Sequence, residues 1–175
     1  MPTTQEHGAA WAVGFTPKGV AAGLTTLNLN AAGTWLALNF SPSENKTLAK
    51  VRCYISAVTL IPLAADASCD LYSSTGQAPN ASLQTIAQSD ANPVVGAINW
   101  SGFTTAVNAG TQYWLIFKNL NISPSTVNFT FRFGAADVLP VIIATTAQLG
   151  FSTWSKRHSA DSGATWTGGN VGACA

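Results

Sequence analysis

Residues 126–133 read TVNFTFRF. Val127, Phe129, Phe131 and Phe133 alternate with Asn128, Thr130 and Arg132. An apolar residue at every second position marks a strand with one face on a core and the other in water. Just upstream, residues 112–118 read QYWLIFK. Tyr113, Leu115 and Phe117 form one apolar face there, and Trp114 with Ile116 forms a second. A strand that is apolar on both faces belongs at the centre of a sheet, covered on both sides.

The same period extends outward from these two stretches. In 47–59, Val51, Cys53, Ile55 and Ala57 point one way, and Arg52, Tyr54 and Ser56 the other. Residues 34–40, 68–74, 82–88, 97–100, 103–107, 138–146, 151–158 and 165–167 also read as strands. A loop containing Gly76, Pro79 and Asn80 separates 68–74 from 82–88. Turn residues recur about every ten positions, and no segment carries an apolar period of about 3.6. The pattern predicts an all-β chain: a single-domain antiparallel β-sandwich of about nine or ten strands. Residues 1–33, rich in Gly, Ala and Thr, are expected to be an N-terminal arm or loosely patterned segment. Residues 34–175 are expected to be the sandwich.

The chain has 175 residues, of which only 9% are charged, and its net charge is +1. An average soluble domain carries about 25% charged residues. Polarity comes instead from 20 Thr, 15 Ser and 12 Asn. A nearly uncharged surface offers no basic stripe for phosphates, so nucleic acid is not an expected partner. It also has little self-repulsion and associates readily, which points to a homo-oligomer or a larger assembly. No apolar run reaches the roughly 20 residues of a membrane span, so no membrane role is expected. Residues 1–7 lack the basic-then-apolar order of a secretion signal, so synthesis in a cytosol without processing is expected.

Chemistry has few places to reside. The carboxylates are Glu6, Glu44, Asp66, Asp70, Asp90, Asp137 and Asp161, and only Asp66 and Asp70 lie close in sequence. His7 and His158 stand outside any ligand-spaced motif. Cys53, Cys69 and Cys174 form no Cys-x-x-Cys pair and are read as thiols, with pairing of Cys53 and Cys69 left open. No nucleophile elbow or phosphate loop occurs. The expectation is no catalytic residue, no metal, no cofactor and no enzymatic activity. Six tryptophans are present. Trp114 is read as core. Trp11, Trp35, Trp100 and Trp154 are the candidates for sugar stacking or for an interface.

Residues 159–166 read SADSGATW. Ser159, Asp161, Gly163, Thr165 and Trp166 match Ser-x-Asp-x-Gly-x-Thr-Trp, and the segment resembles an Asp box. The resemblance implies a structural hairpin turn: Ser159 and Asp161 bond the turn backbone, Gly163 supplies a left-handed φ, and Trp166 packs beneath. Such boxes occur in sialidases and in other β proteins, remote from catalysis. One box in a chain this short implies no sialidase activity.

A second set runs along residues 34–167. It comprises Thr47, Leu48, Val51 and Tyr54; Asp70-Leu71-Tyr72-Ser73-Ser74; Gly76, Pro79 and Leu83; Trp100 and Phe103; and Ala109-Gly110-Thr111 with Tyr113 and Trp114. This set resembles the jelly-roll module of tailed-bacteriophage structural proteins, of decoration or fibre type, and of extracellular sugar-binding proteins. Where the family has Pro-Gly, this chain has Pro79-Asn80, and Asn also tolerates a left-handed turn. The resemblance implies a non-enzymatic virion structural protein made in the host cytoplasm, most of all a capsid decoration protein that docks on and stabilises a phage head. Its partners would be the major capsid protein or other virion proteins. The alternative it implies is a carbohydrate-binding module or tail-fibre, receptor-binding adhesin that meets a surface glycan with exposed tryptophans.

Overall fold

The structure, a computed structural model, describes residues 25–31, 33–42, 44–60, 62–123, 129–133, 141–144 and 156–168. Among these, the strands in chain order are β1 (Thr25–Leu29), β2 (Trp35–Phe40), β3 (Lys46–Val58), β4 (Ala67–Thr75), β5 (Ala78–Ile86) and β6 (Gly96–Ser101). They continue with β7 (Ala106–Val107), β8 (Tyr113–Asn119), β9 (Phe129–Phe133), β10 (Val141–Ala144) and β11 (Lys156–Ser159). One 3-10 turn, Ala64–Asp66, precedes β4. Every strand pair is antiparallel.

The strands form two sheets that pack as a β-sandwich. In the first, β3 runs 13 residues and is paired along one edge in turn by β10 and β9, and along its other edge by β7 and β6. β1 continues this sheet beyond β9. The second sheet has the order β11-β2-β8-β4-β5. β8 is central, as its two apolar faces predict, and its first five residues are all buried. Tyr113, Leu115 and Phe117 face the first sheet with Leu36, Leu38 and Phe40 of β2 and Cys69 and Leu71 of β4. Trp114 and Ile116 belong to a second, outer cluster with Ala37.

Among the described residues, Trp100 and Asn119 send hydrogen bonds across the gap between the sheets. Trp100 Nε1 on β6 donates to the Ala67 carbonyl of β4 at 3.1 Å. Asn119 Nδ2 on β8 donates to the Leu29 carbonyl of β1 at 2.8 Å. Each satisfies a buried polar group that would otherwise be left dry. At one open edge, Gln84 of β5 accepts from the amides of Thr104 and Thr105 and from the Thr105 hydroxyl, and donates to the Gly102 carbonyl. This side chain clasps the stretch between β6 and β7 to the second sheet.

Three sequence expectations shift. Residues 25–29, placed in the arm, form a paired strand whose Leu29 is fully buried, so the sandwich begins before residue 34. Residues 1–24 lie outside the described residues. In β3 the register slips between Ile55 and Ala57. The bulge exposes Ala57 and brings Val58 against the core, a phase change that strict alternation cannot show. The expected loop at Gly76, Pro79 and Asn80 is a two-residue turn. Gly76 (φ 55°) and Gln77 (φ 67°) make it, as a primed hairpin turn requires. Pro79 and Asn80 lie in β5, an edge strand, where a proline is tolerated. Cys53 and Cys69 stand as buried thiols on facing sheets. Burial pushes the Cys69 thiol well above its usual pKa, and the neighbouring Asp70 adds to the effect.

Candidate functional site

The turn after β11 is built from its own side chains. Ser159 Oγ donates to Asp161 Oδ1 at 2.7 Å and accepts from the Gly163 amide at 2.8 Å. Asp161 accepts from the Thr165 amide at 2.8 Å and from the Thr165 hydroxyl at 2.6 Å. Led by the Thr165 hydroxyl, these donors hold the exposed Asp161 carboxyl down at about 2. Gly163 takes φ 87°, and Ser162 takes φ 58°. His158 and Thr167 exchange both backbone hydrogen bonds across the turn. The Ser162 amide donates to the Gly33 carbonyl at 3.0 Å, which ties the turn to the approach to β2. Trp166 then meets Trp35 at 6.4 Å between ring centroids.

This turn lies on the outer face of the second sheet, beside a row of aromatic and charged side chains. Lys118 of β8 is ion-paired with the buried Asp70 of β4. The same ammonium lies 3.9 Å from the Trp35 ring centroid and 5.6 Å from that of Tyr72. Arg157 is 6.0 Å from the Trp114 ring. Trp114 Nε1 donates to Ser74 Oγ at 2.9 Å. Cations over ring faces gain from the ring quadrupole and hold the rings in place. Trp35 and Tyr72 are half-buried, so each offers part of a ring beside a fixed charge. Sequence reading singled out Trp35 but missed Lys118, although it is the one cation in an otherwise apolar strand.

The other expected tryptophans go elsewhere. Trp100 is 0% exposed and packs on Phe117 at 5.3 Å, so it cannot touch a ligand or a partner. Its large apolar ring faces the other sheet, and its one polar atom is satisfied there. Trp11 and Trp154 lie outside the described residues. The neighbouring carboxylates Asp66 and Asp70 do not meet: Asp70 pairs with Lys118, and Asp66 binds the loops at one end of the sandwich.

That end is a second candidate surface, and no sequence signal pointed to it. Three loops converge there: the one leaving β3, the one between β5 and β6, and the one leaving β8. Asp66 Oδ2 accepts from the Leu63 amide at 2.7 Å, and Oδ1 accepts from Asn121 Nδ2 at 3.0 Å. The Leu120 amide donates to the Asp66 carbonyl at 2.7 Å. Asn92 Oδ1 accepts from the Ala64 amide, and Ser89 donates twice to the Ala64 carbonyl. Polar groups thus stitch the loops together from within. Outward these loops present Leu60, Leu63, Val94, Val95, Leu120 and Ile122, with Ile122 99% exposed, interspersed with the exposed polar residues Thr59, Gln88, Asp90, Asn92 and Ser123. Leu60 also holds φ 55°, a left-handed conformation rare for a bulky side chain.

Among the described residues, no three His, Cys, Asp or Glu side chains are grouped to hold a metal ion, and no helix is long and apolar enough to cross a membrane. No family model, curated protein or solved structure matches the chain.

Proposed function

We propose that this chain is a non-enzymatic virion structural protein, a capsid decoration protein that docks on a phage head and stabilises it. One observation carries the reading: six exposed aliphatic side chains at one end of the sandwich, set on loops that are fixed by their own hydrogen bonds. Grouped exposed apolar side chains mark an interaction site, and here they are presented on a fixed frame. The low overall charge supports the same conclusion, because closely packed copies would not repel one another. The mechanism is passive. Many copies add buried surface between shell subunits, and stability rises by mass action and multivalency.

The test is the copy number of this chain in purified particles, measured by quantitative mass spectrometry against the major capsid protein. Near-stoichiometric abundance is expected. Absence from particles overturns the reading. Particles stripped of the chain should also break at lower temperature, and equal robustness would remove the stabilising role.

A second reading, a glycan-binding adhesin or module, is favoured by Trp35 and Tyr72 flanking Lys118 on the outer face. Half-exposed rings beside a polar tip suit a sugar face. A glycan array that detects saturable binding, lost in a folded Tyr72→Ala variant, would move this reading to the front.

A further inference from the structure

We infer that Lys118 and Asp70 are the two halves of an intramolecular cross-link: after folding, the Lys118 amine condenses with the Asp70 carboxyl to an amide that joins β8 to β4. The inference goes beyond the virion reading and does not depend on what the chain docks on.

Several independent observations meet at this pair. Lys118 Nζ lies 2.5 Å from Asp70 Oδ2, and among the described residues each is the other's only hydrogen-bond partner. The side chains keep only 12% and 3% of their exposure, so bulk water is largely shut out. Asp70 Oδ1 is buried with no hydrogen-bond partner. Register holds the two groups together. Lys118 stands opposite Ser68, two residues from Asp70, so amine and carboxyl rise from the same face of neighbouring strands. The Trp35 ring, 3.9 Å from the ammonium, and the Tyr72 ring, at 5.6 Å, enclose it. The other two ion pairs among the described residues lack this setting. Their carboxylates, Glu44 and Asp90, are 62% and 34% exposed, so water solvates the ions and would reach any amide formed there.

A buried ion pair is well compensated only when its remaining lone pairs are satisfied, and here one carboxylate oxygen is not. Condensation removes both charges and leaves one neutral carbonyl oxygen in place of a bare carboxylate oxygen. In open water, solvation of the ions and the excess of water oppose that step. Both oppositions weaken where the pair is kept dry. Groups held in contact also gain an effective concentration of about 10⁵–10⁸ M when well aligned.

The step balances within the pair. A proton passes from the Lys118 ammonium to Asp70 Oδ2, which gives a free amine and a neutral carboxyl. The amine lone pair attacks Cγ, one bond beyond Oδ2; the N–C bond forms and the carbonyl electron pair moves onto Oδ1. A proton then moves from the nitrogen to Oδ2, the Cγ–Oδ2 bond breaks, water leaves, and the carbonyl re-forms at Oδ1. The ion pair becomes an amide and one water, with no co-reactant and no change in net charge. Freshly folded chain holds the ion pair, with its ammonium over Trp35, and the amide accumulates from it.

Intact-mass spectrometry of the full chain tests this, on freshly purified protein and after prolonged incubation at neutral pH. Folded wild type is expected to become lighter than its sequence mass by one water, in a fraction that grows with time. Chymotrypsin should then release a branched peptide joining Asp70 to Lys118. Protein held in urea should keep its full mass, because unfolding parts the two groups. Lys118→Arg leaves Asp70 a charged partner under the same rings and should also keep its full mass. Asp70→Asn, which has the same shape, is expected to react with loss of ammonia in place of water. Folded wild type that retains its full mass overturns the cross-link. Water loss that persists in Lys118→Arg overturns it too, as does water loss that maps to a peptide lacking either residue, the mark of an imide formed elsewhere. The peptide map decides on the wild type alone if a variant does not fold.

Discussion

Gly163 lies directly against Trp35. A Cβ at residue 163 would sit 2.6 Å from Cζ3 of the indole, and the φ of 87° is already unfavourable for an L side chain. Two independent physical terms therefore fix glycine here: a left-handed backbone and a ring with no room to spare. The backbone term is about 1–2 kcal/mol, and overpacking adds about 1–3 kcal/mol. Gly163→Ala should lower the thermal midpoint by roughly 10 °C, given about 2–4 °C per kcal/mol for a chain of this size. Gly110 provides the control. Its φ is 69°, but nothing lies within 4 Å of its added Cβ, so Gly110→Ala should show only the backbone part. Equal midpoints for the two variants would mean that Trp35 simply moves aside.

Acid sensitivity should follow from the same turn. Hydrogen bonds from the Thr165 hydroxyl, Ser159 and the Thr165 amide hold Asp161 at about 2, below the ordinary value of 3.8. A depressed carboxylate contributes stability that is present above its ordinary pKa and is lost as the pH falls through the folded one. The midpoint difference between wild type and Asp161→Ala should therefore be constant from neutral pH down to about 4. It should then shrink as the pH approaches about 2. Asp90 titrates in the same direction. Partial burial opposes its ionisation, but the Ser101 hydroxyl and amide and Lys50 outweigh that and hold it low. The variant should thus retain some acid sensitivity of its own. A difference that stays constant down to the lowest pH would show that the Asp161 carboxylate is not what holds the turn.

What the sequence could and could not reveal divides by how local the signal is. β8 was legible because two apolar faces within seven residues require cover on both sides, whatever the rest of the chain does. The Ser159-to-Trp166 turn was equally compact, since the side-chain bonds of Ser159 and Asp161 each span four residues or fewer. The end that carries the six exposed aliphatic side chains left no trace, because Leu60, Val94 and Ile122 are brought together only by Asp66, Asn92 and Asn121, from loops dozens of residues apart. Trp100 was misjudged for a related reason. Its strand, GAINWS, looks weakly apolar, and only the opposing sheet explains why the indole is buried.

Trp100 and Tyr72 should therefore respond in opposite ways. Trp100 is fully buried and bonds Ala67 across the sandwich, so Trp100→Ala opens a large cavity and leaves a carbonyl unpaired. A loss of about 3–5 kcal/mol is expected. Tyr72→Ala removes a half-buried ring from an outer face and should lose about 1–2 kcal/mol. Urea unfolding of the two variants, followed by intrinsic fluorescence, measures both. A Trp100 variant as stable as the Tyr72 variant would contradict the assignment of Trp100 to the core.

The Asp70–Lys118 pair tests whether the outer face is held by charge or by packing. Asp70 retains 3% of its side-chain exposure and Lys118 12%, so both are largely removed from water. Asp70 Oδ1 is buried without a hydrogen-bond partner, so the pair is only partly compensated. Removing one member strands the other. Lys118→Met should destabilise by about 3–5 kcal/mol, because a carboxylate is left alone among Trp35, Tyr72 and Ile116. Adding Asp70→Leu to that variant removes the stranded charge and should restore most of the loss, since a buried pair often contributes little net stability over an apolar replacement. The double-mutant cycle measured by urea unfolding separates the cases. If Lys118→Met alone is nearly neutral, solvent reaches the pair and the face is more open than its burial implies. If the double variant stays as unstable as the single one, the ammonium over Trp35 contributes more than its partner does, and the cation–ring contact is what orders the face.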